Sequence, residues 1–205
     1  MKPNSKIINP TLPTERHLEV AELLFTHDQI IRRLKEVALD IVKYYRDLNV
    51  IPIVLGVATG GIYFTVDLTR LLGNLGMDCI VKFVSIKRYR CNGVANKKAK
   101  LAKLSSDLAG KHVLVLEDLI EDGGTLMCLH PALLNVDKNN PPKSIRYCVL
   151  IDKKGHGDMG FPIDHILFPN VEKENWVFGY GMDDEGYGRS KNDIYVKKII
   201  PVVFN

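Results

Sequence analysis

No apolar run in the sequence approaches the ~20 residues that a membrane-crossing helix needs, and the start Met1-Lys2-Pro3-Asn4-Ser5-Lys6 lacks the apolar core of a secretory signal. A membrane partner is therefore not expected, and a cytoplasmic location is. Cysteine is sparse and scattered: Cys79, Cys91, Cys128 and Cys148 include no Cys-x-x-Cys pair, which argues against a zinc site and gives no disulfide framework. Reduced thiols are the expectation. Charge of either sign is weak in the balance, at +4. That value suits a polyanionic small molecule as well as weak nucleic-acid contact, and decides neither. Internal repeats and low-complexity segments are absent, and there is a single tryptophan, Trp176.

What is present is an ordinary globular composition. The 205 residues, 46% hydrophobic and 25% charged, suffice for one sizeable core and are few for two, so one domain over 1–205 is expected. Residues 1–22 hold three prolines without sustained periodicity and read as an arm or a loosely packed lead-in. From Thr26 the pattern changes. Thr26 with Gln29 spells a capping box, and Ile30, Ile31, Leu34, Val37, Ala38, Ile41, Val42 and Tyr45 recur at helical spacing up to about Asn49. Apolar runs follow at about 50–57, 80–86, 112–116, 145–151, 163–168 and 176–180, with helical patterns at about 62–75 and 125–136 between them. This alternation implies an α/β fold with parallel strands and crossover helices, whose ligands collect at the carboxyl ends of the strands.

The most informative stretch is Val-Leu-Val-Leu-Glu-Asp-Leu-Ile-Glu-Asp-Gly-Gly-Thr-Leu at 113–126. An apolar strand stops at Glu117-Asp118 and runs through Gly123 and Gly124 into Thr125, which opens a helical pattern. Glycines let backbone N–H groups turn inward and a helix N-terminus adds the positive end of its dipole, so a phosphate suits this turn. The paired acids one step earlier suit either the hydroxyls of a sugar or the magnesium that a polyphosphate brings.

A second glycine turn, Gly56-Val57-Ala58-Thr59-Gly60-Gly61, lies between a strand and the helical segment from Ile62. Alone it is a common α/β connection. Two such turns on neighbouring parallel strands would face each other across one crevice and hold both ends of a doubly phosphorylated molecule. Further on, Lys153 follows Ile151-Asp152 at a strand end, and Trp176-Val177-Phe178-Gly179-Tyr180-Gly181-Met182-Asp183-Asp184 precedes Arg189. A strand-end lysine is usually a solvated charge and a lone tryptophan usually core. Together, however, a flat ring can stack on a base, a lysine can donate to a ring carbonyl, and an aspartate and arginine can handle metal and diphosphate.

In these segments, in order and spacing over about residues 23–200, the chain resembles the 6-oxopurine phosphoribosyltransferases, the hypoxanthine-guanine(-xanthine) salvage branch of the type I phosphoribosyltransferases. The resemblance implies a mostly parallel central sheet flanked by helices, with a small hood from the N- and C-terminal segments. It implies transfer of a 6-oxopurine onto phosphoribosyl diphosphate (PRPP), magnesium (Mg2+) as cofactor, no nucleic-acid partner, and a homodimer or homotetramer. Carried over residue by residue, Glu117 and Asp118 hold the ribose hydroxyls and magnesium, and Glu121 is the catalytic acid/base at purine N7. Asp122, Gly123, Gly124 and Thr125 take the 5′-phosphate, and Thr59-Gly60 meets the diphosphate. Lys153 reads the 6-oxo group, Trp176 stacks on the base and Val177 contacts its edge. Asp183, beside the base, binds a second magnesium, and Arg189 binds the diphosphate. Ser85-Ile86-Lys87-Arg88-Tyr89-Arg90, with the polar run to Lys103, matches a mobile loop in which Arg88 and Tyr89 contact PRPP.

Four departures from the family pattern stand out. Glu121 replaces the usual aspartate, Asp122 a threonine or serine, Thr59 a lysine, and Arg88 the serine of the mobile loop, adding charge suited to a diphosphate. A carboxylate at 122 beside a phosphate site is repulsive unless it turns away. The Glu121 and Asp122 changes keep open a second function class, a PRPP- or nucleotide-sensing regulator that binds without turnover. An adenine-specific transferase is disfavoured, because Lys153 suits a 6-oxo acceptor and repels a 6-amino donor.

Overall fold

The computed structural model describes residues 17–91, 94–102, 104–155 and 157–201, with side chains described over 21–86, 102, 104–155 and 157–198. Its first long helix, α1 (His27–Asp47), starts where the sequence says it should. Thr26 accepts from the Gln29 backbone while the Gln29 side chain accepts from the Thr26 N–H, so two of the helix's orphan donors are satisfied reciprocally. The apolar stripe predicted along α1, from Ile30 to Tyr45, is the face that is buried.

Strands β2 (Ile53–Ala58), β3 (Ile80–Cys91), β5 (His112–Ile120), β6 (Ser144–Lys153) and β7 (His165–Val171) form five parallel strands, with β4 (Val94–Leu101) antiparallel at the edge beside β3. The order across the sheet is β4-β3-β2-β5-β6-β7. Helices α1 and α2 (Ile62–Asn74) pack on one face and α3 (Gly124–Leu134) on the other. Strand periodicity of two divides β5 between them: Leu114 and Leu116 join the core under α1 and α2, while Val113 and Val115 join the core under α3. At the centre of the sheet both faces are covered, which is why β2, β5 and β6 read as unbroken apolar runs.

A second sheet of three antiparallel strands, in the order β1-β9-β8, is built from β1 (His17–Phe25), β8 (Trp176–Phe178) and β9 (Ile194–Pro201). It is the hood of N- and C-terminal segments. The lead-in expected as an arm over 1–22 therefore enters the fold at His17, and its residues 1–16 lie outside the described residues. The stretch 85–103, expected as a loop, is largely an antiparallel hairpin in which Ile86 opposes Leu101 and Cys91 opposes Val94. Its charged side chains hid the strand pattern. Strand β5 also continues past the acid pair to Ile120, because Leu119 and Ile120 keep their register with Ile151 and Asp152.

Candidate active site

Between β2 and β5 the chain reverses its direction of travel across the sheet: β2 is followed by α2 and β3 on one side, and β5 lies on the other. That is the topological switch point, where an open α/β sheet leaves a crevice at the carboxyl ends of its strands. Both glycine turns leave from it. The turn after β2 contains Thr59, Gly60 and Gly61 and begins with a cis peptide between Ala58 and Thr59. The turn after β5 carries residues 121–123 into α3, with Gly123 in left-handed conformation as N-cap. Residues 117–126 line a cleft of about 160 Å³.

The two turns touch. A Cβ at Gly60 would sit 2.0 Å from Asp118 Oδ2, so only glycine lets the Asp118 carboxylate rest against this backbone. Gly61 is equally confined, since its Cβ would meet the Val57 carbonyl at 2.7 Å. The hood closes on the same place. A Cβ at Gly181, whose φ is +101°, would lie 2.1 Å from the Gly60 carbonyl oxygen. Tyr180 beside it donates its hydroxyl to Asp67 of α2 at 2.7 Å, fastening the hood to the helix that starts at the Gly60 turn.

Arg189 shapes the hood's turn. Its Nη1 donates to the Gly181 carbonyl at 2.7 Å and its Nη2 to Asp183 Oδ1, while Asp183 Oδ2 accepts from the Gly186 N–H. Both side chains remain about one-third exposed, at 32% and 34%, and so still face solvent. Asp118 feels this pair. Desolvation pushes its carboxyl up to about 6, a backbone hydrogen bond and the Arg189 charge pull it down, and the Asp183 charge adds to the rise.

At the next strand end, Lys153 is buried, at 2% exposure, and donates to Glu121 Oε1 at 2.8 Å. A buried ammonium needs a partner, and the carboxylate after β5 supplies it. Glu121 itself remains partly open. Trp176 begins β8 and is 39% exposed, unlike a core tryptophan, and Val177 beside it is buried. Glu117 is buried. Asp122 and Thr125 flank the glycines at the start of α3, where Asp122 Oδ1 accepts from the Gly124 N–H at 3.0 Å. Arg88 and Tyr89 fall on β3, with side chains outside the described residues.

Residues 21–185 match the family described as "Phosphoribosyl transferase domain". The chain belongs to the phosphoribosyltransferase family. Within it, the chain is similar to the hypoxanthine-guanine phosphoribosyltransferase of Aquifex aeolicus, 31% identical over 85% of this chain and 93% of that protein. It is similar to the hypoxanthine-guanine-xanthine phosphoribosyltransferase of Tritrichomonas foetus, 30% identical over 80% of this chain and 85% of that one. The fold likewise matches a Trypanosoma cruzi hypoxanthine phosphoribosyltransferase, with a TM-score of 0.73 and 28% identity over 86% of this chain and 91% of that one. The chain is thus a type I phosphoribosyltransferase of the 6-oxopurine salvage family, with the mostly parallel sheet, flanking helices and hood that the resemblance implied.

In this phosphoribosyltransferase three contacts of the crevice were not anticipated from sequence. Gly181 approaches Gly60, Tyr180 holds Asp67, and Met159, from the segment after β6, covers Gly123, where a Cβ would meet Met159 Sδ at 2.8 Å. The Gly-Tyr-Gly at 179–181 was the available signal, since glycines flanking an aromatic in a hood turn point to close backbone approach.

Proposed function

We propose that the protein joins a 6-oxopurine, hypoxanthine or guanine and in some measure xanthine, to PRPP, giving the nucleoside 5′-monophosphate and diphosphate. The observation that carries this reading is the Lys153–Glu121 pair, 2.8 Å apart. On a 6-oxopurine the O6 and N7 atoms lie side by side on one edge, and both accept hydrogen bonds in the neutral base of a nucleotide. An ammonium next to a carboxylate matches that edge: Lys153 donates to O6, and Glu121 takes the proton that a free base carries on N7. Adenine presents an amino donor to Lys153 instead and is refused.

The chemistry is a displacement at ribose C1′. The bond from purine N9 to C1′ forms as the bond from C1′ to the diphosphate oxygen breaks, and the N7 proton passes to Glu121. Positive charge grows on the ribose ring and negative charge on the leaving group. The Thr59-Gly60 backbone and Arg189 hold the leaving diphosphate, the backbone amides of Asp122 to Thr125 with the Thr125 hydroxyl the 5′-phosphate, and Glu117-Asp118 the ribose hydroxyls. Trp176 stacks on the base and the Val177 backbone meets its edge, while the role of Arg88 and Tyr89 is PRPP binding.

The donor set suits magnesium. Among the described residues no group of three or more His, Cys, Asp or Glu forms a ready-made metal cage. Magnesium, however, usually binds through one or two carboxylates together with substrate phosphates. Asp118, with Glu117, and Asp183 are oxygen ligands of that kind on two sides of the crevice, close enough that the Asp183 charge acts on Asp118. When bound, the ion supplies positive charge to the leaving diphosphate.

The cytoplasmic setting fits the reduced thiols of Cys79, Cys128 and Cys148, and no described helix is long and apolar enough to cross a membrane. Exposed Ile80, Val81 and Phe83 on β3 favour self-association as a homodimer or homotetramer. One observation favours a nucleotide-sensing regulator instead, the carboxylate of Asp122 on the Gly124 amide. A spectrophotometric assay of each purine with PRPP and magnesium separates the two: turnover supports the transferase, and binding of PRPP without turnover the sensor.

A further inference from the structure

Asp122 occupies an unusual seat. Gly124 is the first residue of α3, so its N–H has no partner within the helix, and Gly123 as N-cap offers no side chain to satisfy it. Asp122 Oδ1 takes that N–H at 3.0 Å. The exposed carboxylate is thus an anion at the positive end of the α3 dipole, on the wall of the 160 Å³ cleft. In an ordinary helix start such a contact is a turn-forming cap and nothing else competes for the amide. Here the same turn is the phosphate cradle.

We infer that Asp122 is an internal competitor for the 5′-phosphate and sets the affinity for every ligand that carries one; this rests on the transferase reading above. A phosphate brings close to two negative charges at neutral pH and can take the Gly124 amide only after the carboxylate leaves it. Even displaced, Asp122 stays one residue from the cradle and repels the phosphate. The two ends of the reaction are affected unequally. PRPP is also held by its diphosphate, whereas the nucleotide product has lost that handle and depends on the cradle. Asp122 therefore weakens product binding most and favours release, a step that limits turnover in many enzymes.

The test is calorimetric titration of wild type, Asp122→Asn and Asp122→Thr at fixed ionic strength with inosine 5′-monophosphate, and with inosine and inorganic diphosphate as probes that lack the 5′-phosphate. Asp122→Asn keeps an oxygen for Gly124 and removes the charge; Asp122→Thr shortens the side chain to a hydroxyl. The nucleotide should bind about tenfold more tightly to Asp122→Thr, with a smaller gain for Asp122→Asn and the two probes that lack the 5′-phosphate unchanged. A loss of fold would weaken all three ligands together. Nucleotide affinity unchanged or weakened in Asp122→Thr, while inosine and diphosphate bind as to wild type, overturns this inference alone. If neither wild type nor variants bind nucleotide or diphosphate, the inference and the transferase reading both fall.

Discussion

Lys153 and Glu121, brought together from the ends of two adjacent strands, share a hydrogen bond of 2.8 Å in which the ammonium is buried and the carboxylate is partly open. The proposed reader of the purine oxygen and the proposed carrier of its proton thus orient one another. Lys153→Ala removes the charged donor to O6, a loss of about 1.5–3 kcal/mol for a hydrogen bond to a charged group. The KM for the purine should rise roughly tenfold to hundredfold while the KM for PRPP changes much less. Steady-state kinetics with each substrate varied in turn reads this split, and equal losses for both substrates would contradict it.

Glu121→Gln keeps the side chain's length and removes its capacity to take a proton. Turnover should fall roughly 10²–10⁴-fold, the usual contribution of a general acid–base group, while PRPP still binds. Glu121→Asp should retain much of the activity. The informative counter-result is a normal rate for Glu121→Gln together with a dead Asp122→Asn, which would move the proton role to Asp122.

The contact between the two glycine turns gives a packing prediction. Gly60→Ala places a methyl where Asp118 Oδ2 now lies, 2.0 Å from the ideal Cβ. The KM for PRPP should rise on the order of 10–100-fold, as misplacement of about an ångström does. Gly181→Ala drives a Cβ into the Gly60 carbonyl at a φ of +101°, and should cost about 1–3 kcal/mol of stability in thermal unfolding. Wild-type kinetics in Gly60→Ala would show that the Asp118 position is unimportant.

Asp118 makes stability depend on pH in a direction opposite to most carboxylates. Its folded value of about 6 lies above the 3.8 of an unperturbed aspartate. Between these, the folded protein holds a proton that the unfolded chain has released, so this group's contribution to stability declines as pH climbs through that window. In magnesium-free buffer, the Tm of wild type minus that of Asp118→Asn should therefore fall from about pH 4 to pH 6.5. A difference that rises with pH would mean that Arg189 outweighs burial.

Much of this site was legible because its signals are local. The capping box at Thr26 and Gln29, the apolar runs of the sheet and the glycines ending β2 and β5 each express a physical requirement within a few residues of chain. The hood was harder to place. β1 pairs with β9 across most of the chain length, Leu18 opposite Ile200 and Val20 opposite Lys198, and no local period encodes such a partner. β4 was obscured by its lysines, since an edge strand can carry charge without losing its ladder. The hydrogen bond from the Gly124 N–H to Asp122 was missed for a different reason: sequence places the carboxylate beside the cradle but does not say which way it turns.

The most direct test is a spectrophotometric assay of the purified protein with PRPP, magnesium and, separately, hypoxanthine, guanine, xanthine and adenine. The Lys153–Glu121 pair predicts turnover with at least one of the 6-oxopurines and none with adenine, with activity lost on chelation and restored by magnesium. Turnover with adenine alone, or binding of PRPP without turnover of any base, would contradict it.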